Sequence, residues 1–205
     1  MDPLIINLKV GNVHSLKSAI DFLGIKVKIS NNKKDIDLAS HLILPGVGAF
    51  DSMINEINRI DLEDTIKENI LIKKKPFLGI CVGMQVLFTK SEEGKENGLN
   101  ILKHSIKKLE INNFSKNKIP HVGFSKIFNF KNEGLFKSLE NPYFYFTHSY
   151  ACPEINKNDM NLALCKHENF FLAGLQKENI CAVQFHPEKS QSFGIKILSN
   201  FFNNL

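Results

Sequence analysis

Arginine is almost absent from this chain of 205 residues, which has a single arginine, Arg59, among its 26 basic residues. Arginine dominates the bidentate recognition of phosphates and bases on nucleic-acid-binding surfaces. The lysines are scattered, with short clusters at 33–34, 73–75 and 107–108, and no basic motif is interleaved with aromatic residues. The formal net charge of +5 therefore does not predict a nucleic-acid-binding protein.

Long hydrophobic runs are also missing. The longest apolar stretches have the length of a β-strand, far short of the roughly 20 residues that cross a bilayer. The amino-terminal segment lacks the basic region, apolar region and cleavage site of a signal peptide, so we expect neither membrane insertion nor secretion. The four cysteines and the histidines show no spacing typical of metal ligands. We therefore expect a reduced, cytoplasmic protein with no metal and no cofactor.

A short run of residues is typical of a catalytic nucleophile. It reads Gly79-Ile80-Cys81-Val82-Gly83 and follows an apolar segment that predicts a buried strand over 77–80. Residues 84–88 could begin a helix. A nucleophile between two glycines at a strand-to-helix turn is the arrangement of a nucleophile elbow, and the helix start would favour a thiolate. A buried structural cysteine beside a tight turn is the alternative at this point.

A histidine and a carboxylate end a second apolar run far downstream, at His186-Pro187-Glu188. Residues i and i+2 of an extended segment point the same way, and Pro187 favours an extended conformation at His186. One imidazole and one carboxylate should then project together from a strand end. This suits a base oriented by an acid, with Cys81 as the nucleophile.

The first half of the chain alternates strand-like and helix-like patterns. Strands are predicted over 4–8, 26–29, 41–44 and 77–80, and helices over 16–23, 52–57 and 62–73, with Ser15 and Gly24 capping the first helix. The second half predicts antiparallel strands over 127–130, 143–147, 161–165 and 170–175, a loop over 89–98 and a closing helix over 192–202. This order predicts one α/β domain over 1–205 with catalytic groups at the carboxyl ends of parallel strands.

Several motifs resemble the class I, or triad, glutamine amidotransferases. They occur in family order and read Gly11-Asn12-Val13-His14-Ser15, Leu44-Pro-Gly-Val-Gly-Ala-Phe50, Gly79-Ile-Cys-Val-Gly-Met-Gln85, Ile119-Pro-His-Val-Gly123, Tyr145-Phe-Thr-His-Ser-Tyr150 and Phe185-His-Pro-Glu-Lys-Ser-Gln191. The Lys-Ser-Gln ending is similar to that of the glutaminase subunits of imidazole glycerol phosphate synthases. The resemblance covers nearly the whole chain and implies a flavodoxin-like three-layer fold with a mostly parallel central sheet and additional antiparallel strands.

The resemblance also implies the site. The catalytic residues would be Cys81, His186 and Glu188, and the substrate-binding residues would be Gly46, Gly48, Val82, Gln85, His148, Ser149 and Tyr150. The glycine loop after 41–44 lacks the lysine of a P-loop and the third glycine of a dinucleotide site. A plain turn is the other interpretation of this loop, but the resemblance assigns it to the glutamine pocket and the oxyanion hole. We expect Val82 N–H as one oxyanion donor and a second donor near Gly48.

The resemblance further implies that ammonia from glutamine passes to a (β/α)₈-barrel cyclase, with Asn12 and Lys189 near the interface. At three places this chain departs from the family pattern, so a different partner is also considered. The family usually has Asp-Tyr-Gly before its Gly-Asn, where this chain has Asn7-Leu8-Lys9-Val10. It usually has a Trp-Asn pair where this chain has Phe124-Ser125, and often a Val in place of Thr147. A paralogue that serves a sugar amidotransferase in surface polysaccharide synthesis is the alternative.

Two further hypotheses assign the chain a function other than that of a glutamine amidotransferase. A cysteine hydrolase or peptidase could share the elbow, although the related chaperone-like peptidases usually have a His directly after the nucleophile, where this chain has Val82. A non-catalytic scaffold could keep only the fold, but the presence of Cys81, His186 and Glu188 argues against it.

Overall fold

The computed structural model describes residues 1–9, 12–112, 115, 117–155 and 158–204. Two residues of the motifs above, Val10 and Gly11, lie outside these ranges.

The first part of the chain forms short strands and helices in alternation. Their bounds are β1 Leu4–Ile6, α1 Val13–Asp21, β2 Lys28–Ser30, α2 Lys33–Leu38, β3 Leu42–Gly46, α3 Phe50–Arg59, α4 Glu63–Lys67 with a π-helical turn Glu68–Ile72, β4 Phe77–Cys81, α5 Val82–Gln85, β5 Phe88–Ser91 and β6 Leu102–Lys108.

The second part is rich in strands and ends in the longest helix of the described chain. The strands are β7 His121–Phe128, β8 Tyr143–His148, β9 Tyr150–Ala151, β10 Asn161–Lys166, β11 Phe170–Lys177 and β12 Ile180–Val183, and the helix is α6 Gln191–Asn203. Short 3₁₀ turns occur at Gly134–Phe136 and Pro187–Lys189.

One nine-stranded sheet organises these elements, in the order β2-β1-β3-β4-β12-β11-β10-β7-β8. Neighbours are parallel from β2 to β12 and antiparallel from β12 to β8. The expected α/β fold, with a parallel region and added antiparallel strands, is confirmed. A smaller three-stranded sheet contains β5, β6 and β9.

The register of the central strands positions the site. Gly46 pairs with Cys81 across β3 and β4, and Val183 pairs with Ile80 across β12 and β4. All three strands are parallel, so the segments that follow them leave the sheet at the same edge. Those segments contain the glycine loop, the elbow and His186.

The core lies on both faces of the parallel strands. Every residue of β1, β3, β4 and β12 is buried, although successive side chains point to opposite faces. Helix α1 contributes Leu16 and Ile20 to this core, and α6 contributes Ile197, Leu198 and Phe201. Within the described residues, no helix has the length and apolar character needed to span a membrane.

Several local predictions were wrong. Helix α1 is capped by Asn12, whose side chain accepts a hydrogen bond from Ser15 N at 3.2 Å, so Ser15 lies inside the helix. The helix after the elbow ends at Gln85, because Phe88 already pairs with Leu102 in a strand. The predicted loop over 89–98 therefore begins as β5.

Candidate active site

Cys81 lies at a sharp turn between β4 and α5. Its backbone has φ +56° and ψ −113°, a left-handed conformation that non-glycine residues rarely adopt. Gly79 can only be glycine here, since a Cβ on it would lie 2.6 Å from the carbonyl oxygen of Gly83. The turn thus has the close backbone approach that the elbow motif predicts. Helix α5 is a single turn of four residues, so its dipole contributes less to a thiolate than the sequence suggested.

His186 and Glu188 form a buried pair. His186 Nδ1 lies 2.9 Å from Glu188 Oε1, and the two side chains are 1% and 6% exposed. The backbone N–H of His186 donates to Tyr145 O at 2.9 Å, and Ser190 Oγ donates to His186 O at 2.6 Å. Strand β12 ends at Val183, so a 3₁₀ turn rather than a continuous strand brings Glu188 to the imidazole.

The charge of His186 depends on its two neighbours. Burial disfavours the imidazolium, but interactions with Cys81 and with Glu188 outweigh this and raise the pKa of His186 to about 10. Nε2 is buried and has no hydrogen-bond partner of ordinary geometry among the described residues, and Cys81 is the neighbour that contributes most to the raised pKa of His186. A cationic imidazole between a sulfur and a carboxylate is the charge pattern of a Cys–His pair.

Two buried side-chain amides, those of Gln184 and Gln85, link Cys81 to strand β9. Gln184 Nε2 donates to Cys81 Sγ at 3.6 Å. Gln85 Nε2 donates to Gln184 Oε1 at 2.9 Å and to Tyr150 O at 2.9 Å. The sequence reasoning gave Gln184 no role. The one available signal was a polar residue inside the otherwise apolar run that precedes His186.

The sulfur opens into a cavity of about 190 Å³. Six of the seven predicted substrate-binding residues line it, namely Gly48, Val82, Gln85, His148, Ser149 and Tyr150. Gly46 does not, since it lies inside the wall, where a Cβ would come within 2.8 Å of Met53 Sδ. Gly46 therefore serves the packing of the elbow rather than direct contact with a ligand.

Glu93 also lines the cavity, although no motif in the sequence points to it. Its Oε2 accepts from Phe50 N at 2.8 Å, at the start of α3. The loop that carries it is held by Asp51, whose carboxylate accepts from Lys95 N and Glu96 N at 2.9 and 3.1 Å. A fixed carboxylate thus faces the same space as the Cys81 sulfur.

Three side chains support Tyr150 from behind. His148 Nδ1 lies 2.9 Å from Tyr150 O, His148 Nε2 lies 3.2 Å from His121 Nδ1, and His121 Nε2 lies 2.8 Å from Ser125 Oγ. Burial lowers the pKa of His148 to about 3 and that of His121 to about 4, and a neighbouring histidine adds to each effect. Both imidazoles are therefore neutral near pH 7. The Tyr150 carbonyl can only accept, so the neutral His148 carries its proton on Nδ1.

Lys189 and Asn12 do not line the cavity. Lys189 Nζ lies 5.5 Å from the ring centroid of Tyr145, which in turn contacts Phe124 at 5.6 Å. Helix α1, which Asn12 caps, contacts the Pro187–Lys189 turn. The outer face of β7 and β8 next to Lys189 exposes Val122 and Phe124 to solvent.

The chain is similar to known proteins over nearly its whole length. The model of the family "Glutamine amidotransferase class-I" matches residues 4–205. The imidazole glycerol phosphate synthase subunit HisH 2 of Methanococcus maripaludis is 40% identical over 96% of this chain and 96% of its own length. The corresponding protein of Cyanophora paradoxa is 42% identical over 96% and 91%.

Solved structures show the same fold at lower identity. A putative GMP synthase component from Thermoplasma acidophilum superposes with a TM-score of 0.71 at 24% identity, covering 98% of this chain and 92% of its own. Another structure, described as a glutamine amidotransferase, superposes with a TM-score of 0.73 at 16% identity, covering 97% and 98%. This chain therefore belongs to the class I glutamine amidotransferase family.

Proposed function

We propose that this protein hydrolyses glutamine to glutamate and ammonia, within one domain spanning 1–205, and passes the ammonia to a synthase partner. The observation that carries the proposal is the Cys81 sulfur beside a buried His186–Glu188 pair, at the wall of a small cavity. A nucleophile, a base and an acid that orients the base are the parts required for acyl transfer through a thioester.

The chemistry proceeds in two steps. The Cys81 thiolate attacks the side-chain amide carbon of glutamine, and His186 gives a proton to the departing ammonia as the C–N bond breaks. A water molecule then gives a proton to His186 and attacks the thioester, which releases glutamate and the thiolate. Glu188 holds Nδ1 of His186, so Nε2 is the nitrogen that exchanges protons in both steps.

The oxyanion of each tetrahedral intermediate needs donors in front of the sulfur. Val82 N–H directly follows the nucleophile and Val82 lines the cavity. Gly48 has φ +99°, a Cβ there would meet nothing within 4 Å, and glycine lowers the cost of rotating the adjacent peptide. We assign the first donor to Val82 and the second to the peptide beside Gly48.

The cavity also suits a free amino acid. The Glu93 carboxylate supplies a negative charge for the α-ammonium group, and Ser149 and Tyr150 also line the cavity. A peptide-bonded glutamine has no α-ammonium group, so Glu93 favours glutamine itself over a protein side chain.

The proposed partner is the (β/α)₈-barrel cyclase of imidazole glycerol phosphate synthase, because the curated relatives are named as parts of that synthase. The surface around Lys189 and Asn12 would face it. A sugar amidotransferase partner is a second candidate, and one observation favours keeping it. Phe124, which departs from the family's tryptophan, is 48% exposed next to Tyr145, the ring that Lys189 contacts.

The direct test is glutamine hydrolysis by the purified chain, alone and with each candidate partner. Cys81→Ala should abolish glutamine-dependent synthesis while synthesis from added ammonium salt by the complex survives. Cys152→Ser is the matched control, because Cys152 is fully buried away from the cavity and should keep most activity. Near wild-type hydrolysis by Cys81→Ala would refute the proposal, and stimulation only by the sugar amidotransferase would select the second partner.

A further inference from the structure

The amide chain between Tyr150 and Cys81 has a defined direction. The oxygen and nitrogen of a glutamine side chain are ordinarily told apart only by their hydrogen-bond partners. The carbonyl oxygen of Tyr150 can only accept, so the Gln85 atom at 2.9 Å from it must be Nε2. The same Nε2 lies 2.9 Å from one atom of Gln184, which must then be Oε1.

This direction determines which atom of Gln184 lies next to the Cys81 sulfur. With Oε1 of Gln184 held by Gln85, the other end of the amide is Nε2, and it lies 3.6 Å from Cys81 Sγ. Gln184 is 0% exposed and Gln85 is 2% exposed. Reversing either amide would bring two acceptors or two donors together out of contact with solvent, which is costly.

We propose that Gln184 is a further catalytic residue, whose Nε2–H donates to the Cys81 sulfur and stabilises its thiolate form, and that Gln85 is the positioning residue that aims it. The inference rests on the proposed function in that Cys81 is the nucleophile. The donor acts when the sulfur carries charge, namely before attack on the amide and when the thiolate leaves the thioester.

Gln85 can offer a ligand only a hydrogen-bond acceptor. Both of its N–H bonds are used by Tyr150 O and Gln184 Oε1, so only its Oε1 remains for the cavity. An acceptor alone can bind the side-chain amide or the ammonium group of glutamine, and it does not bind the α-carboxylate.

Four ionisable side chains near the sulfur also influence how the reactivity of Cys81 depends on pH. The cationic His186, with Glu188 behind it, favours a thiolate from the side of β12. The Glu93 carboxylate opposes a thiolate across the cavity, and the neutral His148 on β8 adds no charge. Substitution of Gln184 leaves all four groups in place, so a change in the titration reports the amide.

The test is the rate of alkylation of Cys81 by iodoacetamide as a function of pH, followed by mass spectrometry on the full chain. Gln184→Met keeps the volume and removes the donor, and it should raise the midpoint of Cys81 reactivity by about one pH unit. Gln184→Glu keeps the oxygen that Gln85 binds and places a carboxylate beside the sulfur, so it should raise the midpoint further.

Gln176→Met is the matched control, since Gln176 accepts from Leu135 N far from the sulfur. Its midpoint should equal that of the wild type. Folding is followed in the same samples through Cys181, which is fully buried and should stay unreactive. If Gln184→Met exposes Cys181, then Gln184→Leu, which also lacks a donor and adds no charge, takes its place.

An unchanged midpoint in a folded Gln184 variant would overturn the inference. The measurement needs no glutamine, so it stands even if the chain shows no glutaminase activity. Where the wild type does hydrolyse glutamine, Gln184→Met should lower kcat about tenfold at pH 7 with little change in KM.

Discussion

A Cβ placed on Gly83 would lie 1.8 Å from the carbonyl oxygen of Leu44, so strand β3 closes directly over the elbow. The contact joins the residue just after Val82 to the strand that leads into the glycine loop. Any side chain at 83 must push these two backbone segments apart. The position of Cys81 and the position of the glycine loop are thereby coupled.

Gly83→Ala should consequently destabilise the fold by at least ~2 kcal/mol and remove glutaminase activity, because backbone cannot give way as a flexible side chain does. Gly24→Ala is the matched control. Gly24 has φ +75° but no atom within 4 Å of a Cβ, so its cost should be about 1 kcal/mol with activity kept. Denaturant unfolding and glutamine turnover measure both effects, and equal losses in the two variants would contradict the packing argument.

The two members of the buried pair should differ in their effect. Glu188→Gln keeps a group that can hold His186 Nδ1, whereas His186→Asn removes the nitrogen that moves protons. Thioester formation in a single turnover should therefore be slowed less by Glu188→Gln than by His186→Asn. Equal rates in both variants and the wild type would show that neither residue takes part in that step.

Acid should destabilise the protein through His121 and His148. Their pKa values are lowered by burial from 6.5 to about 4 and about 3. The unfolded chain takes up these protons as the pH falls below 6.5, while the folded chain does not, so stability present above pH 6.5 is lost progressively toward pH 4. The free energy of unfolding measured at pH 7, 5.5 and 4.5 checks this expectation.

His186 titrates in a different window. Its raised pKa adds stability that is fully present below pH 6.5 and is lost as the pH rises through about 10. The slope between pH 6.5 and 4.5 therefore comes mainly from the His121–His148 pair, whose pKa values are lowered furthest, with a smaller part from His41, whose pKa burial also lowers. His121→Gln should flatten it, and an unchanged slope in that variant would contradict the assignment to this pair.

Partner coupling should depend on Lys189. The lysine lies over the Tyr145 ring beside the exposed face of β7 and β8, outside the cavity. Lys189→Ala should reduce partner-stimulated glutamine turnover more than basal turnover. Lys74→Ala is the control, because Lys74 pairs with Glu178 before the amino end of β4, at the opposite edge of the sheet. If the chain alone turned over glutamine at the full rate and the partner did not increase that rate, the proposed coupling would be refuted.

Strand ends were the part of the site that the sequence could predict. Cys81 and His186 follow apolar runs that become parallel neighbours, and parallel strands release their next residues at one edge. The direction of the Gln184 amide could not be predicted, because it depends on a carbonyl of another strand. Glu93 also escaped prediction, since its place is fixed by the amide of Phe50.

Short or polar elements were missed for a different reason. Helix α2 has six residues and buries only Ile36, so it shows no full helical period. Strand β6 buries only Leu102 and Ile106 among lysines and other polar residues. Pairing with β5 and β9 stabilises it, and a pattern confined to its own residues does not contain that information.

Strand β12 lies between β4 and β11, and Gln184 is 103 positions beyond the nucleophile along the chain. During synthesis the ribosome therefore makes the Cys81 thiol long before it makes the amide, imidazole and carboxylate that we propose activate it. A chain released before residue 184 has the thiol but none of these three groups. With the proposed roles, a reactive sulfur requires β12 in its place between β4 and β11, so alkylation of Cys81 would report that synthesis and folding have passed this strand.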